Sequence, residues 1–210
     1  MKTLLIDYGA GNLRSCAKSL EAAGFGADGH ELVVSSDPVV ASSADALVLP
    51  GQGHFRQVME SFLASGFESR VREHITQGKP FLGICVGMQI LFDSSAESDV
   101  PGLGIIPGRI ERFEHDLSVP QMQWNTLRAV GDSPLMRDLP LEPFAYFVHS
   151  YYAPAGVTTD GALTEYGVTF QSVVSKNNVH ATQFHPEKSQ RVGLQMLENF
   201  RDWAAQHSSA

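Results

Sequence analysis

Four short apolar runs set the tightest limit on how this chain can fold: KTLLI (2–6), ELVV (31–34), DALVLP (45–50) and PFLGI (80–84). Runs this short, bounded by turn residues, read as strands rather than buried helices. Their continuity, without apolar–polar alternation, suits strands covered on both faces. Helical patterns lie between them. NLRSCAKSLEAAG (12–24) places Leu13, Cys16, Ala17 and Leu20 on one face and stops at Gly24. FRQVMESFLASGFESRVREHITQG (55–78) continues the 3.6 period, with a break expected at Gly66. After the fourth run, VGMQILF (86–92) reads as helix. Strand–helix units repeated in this way predict a parallel sheet with helices on both faces.

The second half changes character. GRIERF (108–113), TLRAV (126–130), FAYFVHSYY (144–152), GVTFQSVVS (167–175) and NVHATQF (178–184) are β-rich and separated by turns. The last segment, SQRVGLQMLENFRDWAAQ (189–206), is helical, with Ser189 as its expected N-cap. The expectation is one α/β domain over residues 1–210: a mainly parallel central sheet flanked by helices, with an added antiparallel part.

Composition removes several function classes. At 210 residues and 43% hydrophobic, the chain can bury a sizeable core. No apolar stretch nears the roughly 20 residues of a spanning helix. The start, MKTLLIDYGAGN, reaches Asp7 too early for a signal-peptide core, so a cytoplasmic protein with no membrane partner is expected. The formal net charge of −8 disfavours nucleic acid. The two cysteines, Cys16 and Cys85, make no disulfide framework and no CxxC pair, and the eight histidines form no HExxH. Neither a metal nor a cofactor is expected. Cys16, on the apolar face of its helix, reads as a core thiol.

Ligands of open α/β sheets bind beyond the carboxyl ends of the strands. Three glycine-rich turns fall there. DYGAGNLRS (7–15) starts like a dinucleotide fingerprint, but Arg14 stands at the third glycine position, and a plain strand-to-helix turn capped near Asn12 fits as well. LPGQGHF (49–55) can present backbone N–H groups through Gly51 and Gly53. GICVG (83–87) has the form of a nucleophile elbow, with cysteine in place of serine. Such a turn exposes Cys85 at the sheet edge and at a helix N-terminus, where the dipole favours the thiolate. The N–H of Val86 can then point at an oxyanion. A buried structural thiol is the competing reading of GICVG alone.

A thiol nucleophile needs a base, and the base an orienting group. QFHPEKS (183–189) supplies His185 and Glu187. On an extended segment they share a face, roughly 6.5–7 Å apart. Pro186 holds His185 extended and places the segment at a strand end or edge. His54, His149 and His180 lack a carboxylate two residues on and rank below His185; His149 is a candidate for lining the pocket.

GICVGMQ together with HPEKS resembles the class I, triad-type glutamine amidotransferases. LLIDYGAGNLRS, LPGQGHF, VPQMQWN and FVHSYY look most like the glutaminase subunits of imidazole glycerol phosphate synthases, over essentially the whole chain. The resemblance implies the flavodoxin-like fold of that class. It implies L-glutamine as substrate, with Cys85, His185 and Glu187 as the triad. It implies oxyanion donors at Val86 and in the 51–53 turn (Gln52, Gly53). Gln89, Glu97, Ser150 and Tyr151 match positions that hold the glutamine head group, with Glu97 on the α-ammonium. Asn12, Met122, Trp124 and Lys188 match positions at a subunit interface. The implied partner, in a heterodimer, is a cyclase subunit, a β/α barrel. It uses the ammonia to make imidazole glycerol phosphate and aminoimidazole carboxamide ribotide in histidine biosynthesis. Two residues depart from the pattern: Gln123 replaces a usual glycine, and Gln52 a common valine. From sequence, a glutaminase feeding another synthase, a free cysteine hydrolase and a flavodoxin-like binding subunit with a vestigial thiol remain alternatives.

Overall fold

A computed structural model describes residues 1–9 and 11–208. The first half alternates as its sequence predicts. Strands β1 (Lys2–Ile6), β2 (Glu31–Ser35), β3 (Ala46–Leu49) and β4 (Phe81–Ile84) are separated by helices α1 (Leu13–Ala22), α2 (Phe55–Ala64) and α3 (Phe67–Thr76). Gly66, at φ +77°, makes the break between α2 and α3.

The elbow departs from expectation. Helix α4 covers only Val86–Gln89, and β5 (Phe92–Ser95) follows at once. The carbonyls of Ile90 and Leu91 accept from Leu103 and Ile105 instead of from later helical amides. A crossing segment has therefore taken the bonds that would extend the helix.

The chain continues through β6 (Ile106–Arg112), β7 (Gln121–Thr126), β8 (Arg128–Val130), β9 (Phe144–His149), β10 (Tyr151–Pro154), β11 (Asp160–Tyr166), β12 (Val168–Lys176) and β13 (Val179–Thr182), and ends in α5 (Gln190–His207). The expected TLRAV strand is split. Thr126 still pairs with β9, whereas Arg128–Val130 pairs with β11. FAYFVHSYY is split at Ser150, between β9 and β10.

The main sheet runs in the order β2-β1-β3-β4-β13-β12-β10-β6-β5. β2, β1, β3, β4 and β13 are parallel. β12 turns antiparallel, with β11 along one edge and β13 then β10 along the other. β7 and β9 form a separate antiparallel ribbon. Every residue of β3, β4 and β13 is buried, as expected for central parallel strands covered on both faces. Leu4, Leu47, Phe81 and Phe184 belong to one continuous apolar core, closed on one side by Phe200 of α5 stacked on Phe25.

This topology positions the site. β1, β3, β4 and β13 point the same way, so the turns after Ile6, Leu49, Ile84 and Thr182 meet at one edge of the sheet. Among the described residues, no helix is long and apolar enough to cross a membrane.

Candidate active site

Cys85 stands where β4 ends, at φ 55° and ψ −113°. A non-glycine residue at positive φ is strained, and such strain gathers at functional turns. The surroundings hold it there. The Cys85 N–H donates to the Thr182 carbonyl at 2.7 Å. The turn after β3 packs directly on the elbow: a Cβ on Gly87 would overlap the Leu49 carbonyl, and one on Gly51 would overlap the Gly87 amide. Glycine at these two positions lets two backbones touch.

His185 arrives from the turn after β13. Its Nδ1 lies 2.7 Å from Glu187 Oε1, with both side chains buried (5% and 4% exposed). The pairing is the expected one; its geometry is not. Pro186–Lys188 form a 3-10 turn, so Glu187 curls back under the ring rather than lying along a strand. With Nδ1 committed to Glu187, Nε2 is the ring nitrogen left to serve Cys85. Burial opposes a charged imidazole here, but the Cys85 thiolate and the Glu187 carboxylate outweigh it, and the His185 pKa is pushed up to about 10. Beside Cys85, in this pair, the His185 imidazole therefore favours its charged form. The helix dipole expected from sequence contributes little, since α4 is a single turn of four residues.

A cavity of about 380 Å³ opens over this pair. Cys85, Val86, Gln52, Gly53, Gln89, Glu97, Ser150, Tyr151, His185 and Lys188 all line it. Catalytic, oxyanion and head-group candidates from distant parts of the chain thus share one wall. One expected donor is engaged elsewhere: the Val86 N–H points to the Gly51 carbonyl at 3.4 Å.

The family profile described as glutamine amidotransferase class-I matches residues 4–203. The chain belongs to the class I glutamine amidotransferase family. Among curated relatives, imidazole glycerol phosphate synthase subunit HisH of Deinococcus radiodurans is 54% identical, over 95% of this chain and 93% of its own. The HisH subunit of Thermus thermophilus is 50% identical, over 94% of this chain and 95% of its own. Two solved structures share the fold. A glutamine amidotransferase has TM-score 0.72 at 19% identity, covering 96% of this chain and 98% of the other. The acivicin-bound glutaminase domain of Trypanosoma brucei CTPS has TM-score 0.67 at 15% identity, covering 98% and 94%.

In this amidotransferase the rival histidines sit differently. His54 is the exposed N-cap of α2 and accepts from the Arg56 N–H. His180 lies under α5 against Trp203, and burial lowers its pKa to about 4. His149 does line the cavity, but burial holds it neutral, with a pKa of about 4. Its ring nitrogens face the Tyr151 carbonyl at 2.8 Å and the Gln121 amide at 3.0 Å.

Glu97 commits one carboxylate oxygen to the Phe55 N–H at 2.7 Å, tying its loop to the start of α2. Asn12 accepts from the Ser15 N–H and caps α1, the plain structural role open to it from the start. Asn12, Met122 and Trp124 lie outside the cavity lining. Met122 and Trp124 are 61% and 42% exposed on β7, and Trp124 rests edge-on against Tyr146.

Sequence reasoning missed two residues here. Ser189 occupies the N-cap position of α5 without capping it. Its hydroxyl instead donates to the His185 carbonyl at 2.7 Å and accepts from the Tyr146 N–H at 3.0 Å, bridging the His185 turn to β9. Gln183 points its amide toward Cys85. Standing two residues before His185, it was within reach of the same-face rule that picked out Glu187.

Proposed function

We propose that this chain is the glutaminase subunit of an imidazole glycerol phosphate synthase, a cytoplasmic enzyme of histidine biosynthesis. The observation that carries the reading is Cys85 on a strained elbow beside a His185–Glu187 pair at 2.7 Å, in a chain 54% identical to a HisH subunit.

In this reading the Cys85 thiolate attacks the side-chain carbonyl carbon of L-glutamine. A C–S bond forms and the carbonyl π pair moves to oxygen. When the oxyanion collapses, the C–N bond breaks and His185 gives its proton to the departing nitrogen, which leaves as ammonia. Water then attacks the glutamyl thioester, and His185 takes one of its protons. The C–S bond breaks, releasing glutamate and the thiolate. Glu187 keeps the ring oriented and favours its charged form throughout. Gln89, Glu97, Ser150 and Tyr151 hold the head group, with the Glu97 carboxylate on the α-ammonium.

The oxyanion donors are the Val86 N–H and an N–H of the 51–53 turn. Because Val86 donates to Gly51, the donor pair is incomplete until the Gly51–Gln52 peptide rotates. Rotation would release the Val86 N–H and swing the Gln52 N–H toward the same oxygen, with Gly53, at φ +100°, absorbing the change. One missing donor costs about 10²–10³ in rate, so the chain alone is a slow glutaminase.

The ammonia acceptor is a separate cyclase subunit, a β/α barrel, in a heterodimer. Exposed Met122 and Trp124, with Asn12 and Lys188, are the contact residues, and aromatic anchors of this kind favour an interface. Mixing the chain with such a cyclase tests the reading. Glutamine-dependent formation of imidazole glycerol phosphate is expected, from a complex of one subunit each. Rapid glutamine turnover by the chain alone, with no binding to the cyclase, would sink it in favour of a free hydrolase.

A further inference from the structure

Gln183 is a fully buried polar side chain at the nucleophile. Its backbone N–H donates to the Ser172 carbonyl at 2.9 Å, which fixes its start. The direction of its amide follows from one unambiguous acceptor, the main-chain carbonyl of Tyr151, which can only accept. Gln89 Nε2 lies 3.0 Å from that oxygen, so the Gln89 NH₂ faces it. The same NH₂ reaches Gln183 at 3.1 Å, so Gln183 presents Oε1 there. Its own Nε2 is thereby turned to Cys85 and lies 4.0 Å from Sγ, at the long end of an N–H···S contact.

We propose that Gln183 is a further positioning residue of this reaction: its NH₂ supports the Cys85 thiolate, and its oxygen locks the Gln89 amide beside it. The proposal rests on the reading of Cys85 as the nucleophile. A buried thiolate needs donors in place of water. His185 supplies a donor whose proton is transferred during the reaction. An amide supplies one that never leaves, so the sulfur has a second donor each time the thiolate is present, before attack and again when the C–S bond breaks. The bond from Gln89 to Oε1 sets the orientation of the Gln183 amide, with Nε2 toward the sulfur. Gln89 lines the cavity, so one amide joins the substrate wall to the reacting sulfur.

A purely structural glutamine, one that only completes the bonds of Gln89, is the competing role. Alkylation separates the two. The thiolate attacks the methylene carbon of iodoacetamide, a C–S bond forms and iodide leaves, so the rate against pH reports the thiolate population. The full chain is used, and the labelled cysteine is identified by peptide mapping. Cys16 is the internal control: it is buried, and burial and then Glu187 push its thiol pKa up.

Gln183→Met keeps similar volume and removes the donor. It should raise the pH midpoint of Cys85 alkylation by about one unit and slow labelling at neutral pH about tenfold. It should lower glutamine-dependent kcat in the cyclase complex while ammonia-dependent synthesis continues. Gln183→Glu, with an acceptor facing the sulfur, should be worse. Should Gln183→Met not fold, Gln183→Asn withdraws Nε2 by one methylene and is expected to shift the profile likewise. A wild-type pH profile in these variants, with only thermal stability reduced, overturns the role of Gln183. Wild-type Cys85 labelling no faster than Cys16 overturns the nucleophile reading and this proposal with it.

Discussion

The Val86 amide at the head of α4 donates to the carbonyl of Gly51 at 3.4 Å. The two turns that hold the site thus satisfy each other, and they occupy a donor that the proposed reaction uses. The isolated subunit should hydrolyse glutamine at least about 100-fold more slowly than the cyclase complex supplied with its nucleotide, by the usual worth of one oxyanion donor. Steady-state glutamate release from both forms checks this. Equal turnover would mean the hole is complete without the partner.

Close approach of the same turns makes a second expectation. Gly87→Ala would drive a Cβ into the Leu49 carbonyl, whereas a Cβ on Gly26 meets nothing within 4 Å. Overpacking of this kind costs about 1–3 kcal/mol. In urea unfolding, Gly87→Ala should lower the midpoint clearly, and Gly26→Ala should leave it nearly unchanged. Equal effects would mean the elbow relaxes freely.

Acid should loosen the fold before it protonates most carboxylates. His74, His149 and His180 are buried, and burial lowers each pKa to about 4. Unfolded, these rings take up protons near pH 6.5. Between about 6.5 and 4 the unfolded chain binds more protons, so stability falls as pH falls. The ceiling is on the order of 3 kcal/mol per ring. His185 works in the opposite window: raised to about 10, it contributes fully below pH 6.5 and loses that contribution as pH climbs through 10. Unfolding free energy followed from pH 7 to 4.5, with His74→Gln as a comparison, should show a shallower slope in the variant. Identical slopes would contradict a neutral His74.

Trp124 is 42% exposed and, among the described residues, meets no aromatic ring but Tyr146, edge-on. As an interface anchor, Trp124→Ala should weaken cyclase binding roughly 30-fold or more, about 2 kcal/mol. The melting temperature of the free chain should move little. Calorimetric titration showing an unchanged Kd would remove Trp124 from the interface.

The parts legible in the sequence were those governed by local pattern. LVL and FLGI read as buried strands because every side chain in β3 and β4 is buried. Glu187 was found because a short-range rule placed it beside His185, although a 3-10 turn rather than a strand makes the contact. What stayed hidden depends on bonds from distant segments. α4 stops after one turn because residues 103–106 take the carbonyls it needs. β7 gave no strand signal because Met122, Gln123 and Trp124 are all exposed and the buried residue is the polar Gln121, so no apolar face marks the strand. Ser189 looked like a helix cap, and only the arrival of Tyr146 gives its hydroxyl another task.

The central claim is that Cys85 releases ammonia from glutamine for use elsewhere. The direct measurement is product formation by the reconstituted complex with glutamine or with an ammonium salt as nitrogen source. Cys85→Ala should abolish the glutamine-dependent rate and leave the ammonia-dependent rate intact. Glu187→Gln should retain more glutamine-dependent activity than Cys85→Ala, since triad members act as a unit with unequal shares. Equal loss of both rates in Cys85→Ala would contradict the account.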